Sequence, residues 1–161
     1  MEKNTMKILF TILIFFSVRV QSQEVGLIKL DHLFQRLQSG KDTAYIVNFW
    51  ATWCLPCIEE LPHFEKLADQ LSTEKLKVLL VSVDYRSQYE TTVKSFVRNK
   101  GFKNEVFLLN ETDPQEYINR IDPSWSGAIP ATIFFYQGRR KFFEGEFTYD
   151  ELLTQYKKMK L

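Results

Sequence analysis

Apolar residues recur along this chain in two rhythms, one helical and one strand-like. Leu30, Leu33, Phe34 and Leu37 are spaced for one face of a helix, and Gly40 follows as a stop. Residues 45–50 (YIVNFW) form a short apolar, β-rich run of the kind that suits a central strand covered on both faces. A second helix is predicted from near Cys54, with Leu61, Phe64, Leu67, Ala68 and Leu71 as its buried stripe. Residues 76–83 (LKVLLVSV) are another central-strand candidate. Tyr89, Val93, Phe96 and Val97 share one face of a third helix, which Gly101 ends. Residues 105–109 read as a brief strand, and residues 113–121 as a short helix that stops before Pro123. Residues 132–136 and 140–147 flank the Gln137-Gly138 turn as an antiparallel hairpin. In the last helix Thr148 and Glu151 make a capping box, and Phe147 with Leu152 a hydrophobic staple. Leu152, Leu153, Tyr156 and Met159 would face the sheet. Strands alternate with helices, and a hairpin and a helix close the chain. This order predicts an α/β fold, a central mixed β-sheet flanked by helices.

The first residues do not fit that pattern. Lys3 and Lys7 precede a nearly all-apolar stretch, 8–18, which is shorter than the about 20 residues a spanning helix needs. Val20 and Ser22 supply the small-residue pattern of a cleavage site. The chain is therefore expected to divide into a signal peptide, 1–22, and one domain, 23–161. The alternative is an uncleaved N-terminal anchor. No Cys lies near the cut to accept a lipid. Export to a bacterial periplasm or cell envelope would place the thiols where disulfides form and persist.

Composition narrows the function classes. The chain has 161 residues, 45% hydrophobic and 25% charged, which suits one globular domain and excludes a disordered or multi-pass membrane chain. The net charge is +1, and loss of the leader makes it −1. Neither value makes an electrostatic case for nucleic acid as a partner.

The chemistry concentrates at the only two cysteines, Cys54 and Cys57, in WCLPC. They follow a predicted central strand and open a helix. With Cys54 as the cap, Cys57 falls on the same face, and three-residue neighbours lie about 5–6 Å apart, within disulfide range. The free N–H groups of the helix terminus stabilise a Cys54 thiolate. Pro56 lies in the first turn, where a missing N–H costs little. The pair can thus shuttle between dithiol and disulfide, Cys54 attacking a partner's disulfide and Cys57 resolving the mixed disulfide. A structural disulfide closing so short a loop would add little stability. A zinc site would need further ligands, and His32 and His63 are isolated and expected at the surface.

FWATWCLPC followed by a helix, with Ile129-Pro130-Ala131-Thr132 before a strand, resembles the thioredoxin superfamily, and the longer pattern resembles its exported TlpA/ResA-like branch. Trp50, Ala51 and Trp53 match the aromatic run before the redox pair. Pro62 matches the proline inside the active-site helix, Glu60 and Pro62 the E-x-P pattern of the exported branch, and Pro130 the cis-proline, with Gly127 ahead of it. The resemblance covers about residues 26–160 and implies a thioredoxin-like fold with an αβ insertion within 84–125. It implies that the loop of Ile129 and Pro130 faces the cysteines and pairs with an extended substrate, with Trp53 beside it. Two departures stand out. Asn48 replaces the family's buried Asp, and an amide is no general base. Leu80 stands where the neighbouring Lys is expected. Glu60 is the replacement candidate as proton acceptor for Cys57, against an alternative as an exposed helix carboxylate. Asn48 is expected to be buried and hydrogen-bonded near the site. Trp125 either shapes the partner groove or packs, and residues 138–141 are expected at a solvated hairpin end.

The resemblance implies a thiol–disulfide oxidoreductase that reduces protein disulfides outside the cytoplasm, with cytochrome c maturation as one pathway. It implies a membrane thiol reductant as electron donor, no cofactor or metal, and a monomer. The alternatives are a thiol oxidase or disulfide isomerase, and a non-catalytic metal-handling module such as a copper chaperone. A peroxidase is disfavoured, since no lone cysteine lies in a Pro/Thr-rich loop.

Overall fold

The structure, a computed structural model, describes residues 24–161. The expected leader, 1–22, lies outside the described residues. Among these, six strands form one sheet: β1 (Val25–Ile28), β2 (Ala44–Trp50), β3 (Leu76–Ser82), β4 (Glu105–Leu109), β5 (Ala131–Tyr136) and β6 (Arg139–Glu144). Their spatial order is β1-β4-β3-β2-β5-β6. The first four are parallel, and β5 and β6 each run antiparallel to their neighbour. Five α-helices flank the sheet: α1 (Leu30–Ser39), α2 (Leu55–Gln70), α3 (Lys94–Lys100), α4 (Pro114–Ile121) and α5 (Tyr149–Lys160). This is the thioredoxin-like α/β fold, and α3, β4 and α4 lie within 84–125, the stretch where the αβ insertion is expected.

The period-2 geometry of β2 decides what each face carries. Tyr45, Val47 and Phe49 join Leu30, Leu33, Leu37 and Ile121 in the core under α1 and α4. Ala44, Ile46 and Trp50 point the other way, to Leu61, Phe64 and Leu67 of α2 and to Leu152, Tyr156 and Met159 of α5. Asn48 shares that second face, the one polar position in a strand buried along its whole length. It pairs in register with Leu80 of β3 and Thr132 of β5.

Local signals set most boundaries. Asp113 caps α4 by accepting from Glu116 N, and Thr148 and Glu151 make the expected capping box on α5. Gly101 ends α3 in the left-handed conformation at φ 67°. Three features differ from the sequence expectation. β1 precedes α1 and was not foreseen, because four residues are too few to show alternation and the strand is specified by its pairing with β4. The third helix is entered through a 3₁₀ turn, Arg86–Gln88, and a single π turn, Tyr89–Val93. β6 stops at Glu144 rather than running on to Phe147, because Gly145 adopts φ 115° and donates its N–H to the Pro130 carbonyl at 2.9 Å.

Phe64 is fully buried between α2 and the sheet. Phe64→Ala is expected to lower unfolding free energy by about 3–5 kcal/mol, read as a lower urea midpoint with little change in slope.

Candidate active site

Cys54 is the last residue before α2 and its cap, with φ −92° and ψ 101°. The Ile58 N–H donates to its carbonyl at 3.0 Å, and the Cys57 N–H donates to its Sγ at 3.3 Å. A strand ending at Trp50 and a helix starting at Leu55 therefore leave the sulfur at the positive end of the helix. The two cysteines are joined as a disulfide, S–S 2.01 Å and Cα–Cα 5.3 Å. Cys54 is 5% exposed and Cys57 0%, so only the first sulfur is open to a partner. Pro56 occupies the exposed first turn, and Pro62 lies inside α2, where it removes the bond to the Ile58 carbonyl.

The second loop of the site joins α4 to β5. Cys54 Sγ lies 3.7 Å from the Ile129 carbonyl oxygen, and the Ile129–Pro130 bond is cis. Pro130 is buried, Ile129 half-buried and Trp53 64% exposed. Trp125 is a packing residue, held against Phe49, Tyr117 and Phe142. Its indole N–H donates to the Ala128 carbonyl at 2.7 Å, which braces the loop from behind. Gly127 has φ 93°, and a Cβ there would lie 3.0 Å from Ile118 Cδ1. Only glycine suits both the angle and the close approach of α4.

Glu60 follows Cys57 by one turn of α2 and is 2% exposed, which removes the reading of an exposed helix carboxylate. It accepts from Asn48 Nδ2 at 2.6 Å and from the Phe147 N–H at 2.7 Å. Burial pushes its carboxyl up from 4.5 to about 7; the bonds from Phe147 and Asn48 restrain the rise and the charge of Glu146 adds to it. Asn48 Nδ2 also lies 3.2 Å from Thr132 Oγ1, while Asn48 Oδ1 has no protein partner. His63 is half-buried rather than a free surface residue, with Nδ1 2.9 Å from the Phe147 carbonyl oxygen. His32 is exposed, as expected.

Sequence reasoning missed Asp84. It is 4% exposed at the carboxyl end of β3. Its carboxylate accepts from Thr52 N at 3.0 Å, Thr52 Oγ1 at 2.6 Å and Ser82 Oγ at 2.6 Å. These bonds clamp the loop that delivers Cys54, and Cys54 N donates to the Ala51 carbonyl at 3.1 Å to complete the turn. The available signal was an acidic residue at the carboxyl end of a central parallel strand, the usual place for a functional crevice. The structure thus brings the Cys54–Cys57 pair against the Ile129–Pro130 loop, with Trp53 exposed beside Cys54 and with Glu60 and Asn48 buried. Arg139, Arg140 and Lys141 are exposed at the far end of the β5–β6 hairpin.

A family model described as AhpC/TSA family matches residues 17–139. The thioredoxin-like protein YneN of Bacillus subtilis is 40% identical over 60 residues, 37% of this chain and 35% of that protein. Thiol-disulfide oxidoreductase ResA of Halalkalibacterium halodurans is 30% identical over 87 residues, 54% of this chain and 44% of the relative. The chain thus matches less than half the length of either relative. The crystal structure of the pneumococcal exposed lipoprotein thioredoxin of Streptococcus pneumoniae superposes with a TM-score of 0.59 at 24% identity, covering 76% of this chain and 89% of that one. The fold is therefore shared.

A carboxyl held near 7 in the fold and at 4.5 when exposed makes the folded state bind the extra proton. The stability of the wild type relative to Glu60→Gln is expected to be greatest below about pH 4.5 and to fall as pH rises to about 7, by up to roughly 1.4 kcal/mol per pH unit. Urea titrations of both proteins across that window check this. Asp84→Ala leaves the Thr52 N–H and two hydroxyls without their acceptor, and is expected to cost about 1–3 kcal/mol in the same assay.

Proposed function

This chain belongs to the AhpC/TSA family, and we propose that it is a thiol–disulfide oxidoreductase that reduces protein disulfides outside the cytoplasm through the Cys54–Cys57 couple. One observation carries the reading: the less buried of the two sulfurs caps a helix N-terminus and sits 3.7 Å from the carbonyl before Pro130. That arrangement offers a nucleophile, a stabilising dipole and a backbone edge on which an extended partner can lie.

The steps balance as follows. In the reduced protein the Cys54 thiolate attacks one sulfur of the partner's disulfide. That bond breaks, Cys54 forms a mixed disulfide, and the partner's second sulfur leaves as a thiolate and takes a proton. Cys57 loses its proton and attacks Cys54 Sγ, which expels the partner's first sulfur. Two electrons have passed to the partner, and Cys54–Cys57 is a disulfide, the state of this structure. Glu60 is the acceptor we assign to the Cys57 proton, because its carboxyl is pushed up to about 7 and so exchanges a proton near neutrality. Asn48 Nδ2 donates to this carboxylate at 2.6 Å and holds it in place. Trp53, Ile129 and Pro130 form the partner contact.

A membrane thiol reductant would restore the dithiol. Export rests on the apolar leader pattern of residues 1–22, and the similar pneumococcal protein is an exposed lipoprotein. Ile129 before Pro130 resembles thioredoxin more than the superfamily's strong oxidants, which favours the reducing direction.

Residues 24–161 are expected to accelerate insulin reduction by dithiothreitol, with Cys54→Ser inactive. Equilibration with dithiothreitol and glutathione buffers is expected to place the couple near or below about −250 mV. A value of roughly −120 to −180 mV would instead make it an oxidant or isomerase. Stable metal binding without any insulin turnover would support the metal-handling alternative.

A further inference from the structure

Both backbone polar groups of Phe147 are held from α2. Its N–H donates to Glu60 Oε2 at 2.7 Å, and its carbonyl oxygen lies 2.9 Å from His63 Nδ1. A carbonyl can only accept, so His63 Nδ1 carries a proton and donates it. Glu60 and His63 are three residues apart on α2, which makes them neighbours on one face. The thiol chemistry described above makes no use of His63. Phe147 sits at a junction. Two residues earlier the Gly145 N–H donates to the Pro130 carbonyl at 2.9 Å, and the next residue, Thr148, caps α5. The Phe147 ring is buried edge-on against Phe134 and Phe143, with centroids 5.7 Å and 5.5 Å away. Apolar burial is non-directional and leaves the peptide groups free to tilt. A hydrogen bond aligns them, and the Glu60 bond weakens steeply once its N–H is tilted away.

We propose that His63 is a positioning residue for Glu60: it grips the Phe147 carbonyl and so keeps the Phe147 N–H aimed at the Glu60 carboxylate. The proposal deepens the reading in which Glu60 takes up the Cys57 proton, and rests on it. The Phe147 bond favours the ionised carboxylate and opposes the effect of burial, so loosening it moves the titration of Glu60 upward. The groups packed around Glu60 leave His63 this role. β2 and β5 bring the neutral Asn48 and Thr132, and Cys57 on α2 is in its disulfide. Glu146, in the connection to α5, adds a like charge and cannot favour the carboxylate. At the start of α5, Glu151 is tied to Thr148 and Tyr149 to Lys66 and Gln70 of α2, while Asp150 is exposed. A charged imidazole keeps its Nδ1–H, so the grip holds in both charge states of His63.

The test follows the Glu60 carboxyl carbon by NMR across pH in the oxidised protein. His63→Leu removes the donor and is expected to raise the midpoint by about 0.5–1 pH unit. His63→Asn keeps an N–H near the place of Nδ1 and is expected to stay close to the wild type. Tyr149→Phe loosens the same α2–α5 seam through Gln70 and is expected to leave the midpoint unchanged. An unchanged midpoint in His63→Leu overturns the proposal. Equal shifts in His63→Leu and His63→Asn trace the effect to the imidazole charge and overturn it as well, as does an equal shift in Tyr149→Phe. One arm needs no variant. Above the ordinary imidazole range, the ring nitrogen shifts of wild-type His63 are expected to show the proton on Nδ1, and a proton on Nε2 alone overturns the proposal. None of these readouts uses a substrate. The expected shifts in a protein that fails to reduce insulin would overturn the oxidoreductase reading and leave the Glu60–Phe147–His63 linkage standing.

Discussion

A single buried carboxylate organises this molecule. Glu60 lies on the apolar face of α2, where an ionised group without partners would be untenable. Its two oxygens are met by the Asn48 amide from the middle of β2 and by the Phe147 N–H from the lead-in to α5. The acceptor thus ties the redox helix to the central strand and to the last helix at once. It also explains the polar gap in β2: Asn48 stands in an otherwise apolar run because Glu60 needs a donor there. His63 adds a further bond to Phe147 from the same helix.

The strand-to-helix junction converts this frame into chemistry. β2 delivers the chain to one point, Asp84 clamps the loop through Thr52, and α2 departs with Cys54 as its cap. The accessible sulfur therefore sits where the helix dipole favours its charge, and the second cysteine is shielded below it. The loop before β5 closes the other side, where Trp125 and Ile118 of α4 brace it. β4 widens the sheet between β1 and β3, and α4 backs the loop before Pro130.

The polarity of the site is divided by depth. The two buried carboxylates, Glu60 and Asp84, are satisfied by internal donors. Trp53 and Leu55 on either side of Cys54 are exposed, whereas Glu60 is buried.

What the sequence alone determined was local. The period of Leu30, Leu33 and Leu37, the run 45–50, the Thr148–Glu151 box and the glycine stops each depend on neighbours a few residues away, so α1, β2 and α5 could be read directly. The placement of Cys54 and Cys57 at the start of a helix was legible for the same reason, and Ile129-Pro130 through a family resemblance. Other features depended on contacts across long intervals. The Glu60–Phe147 bond joins residues 87 apart, and the clamp of Asp84 on Thr52 joins residues 32 apart. Sequence left Glu60 between a buried and an exposed role, passed over Asp84 and β1, and set His63 at the surface. Each of those outcomes depends on which distant backbone group comes to lie opposite, and only the packed sheet and its helices decide that.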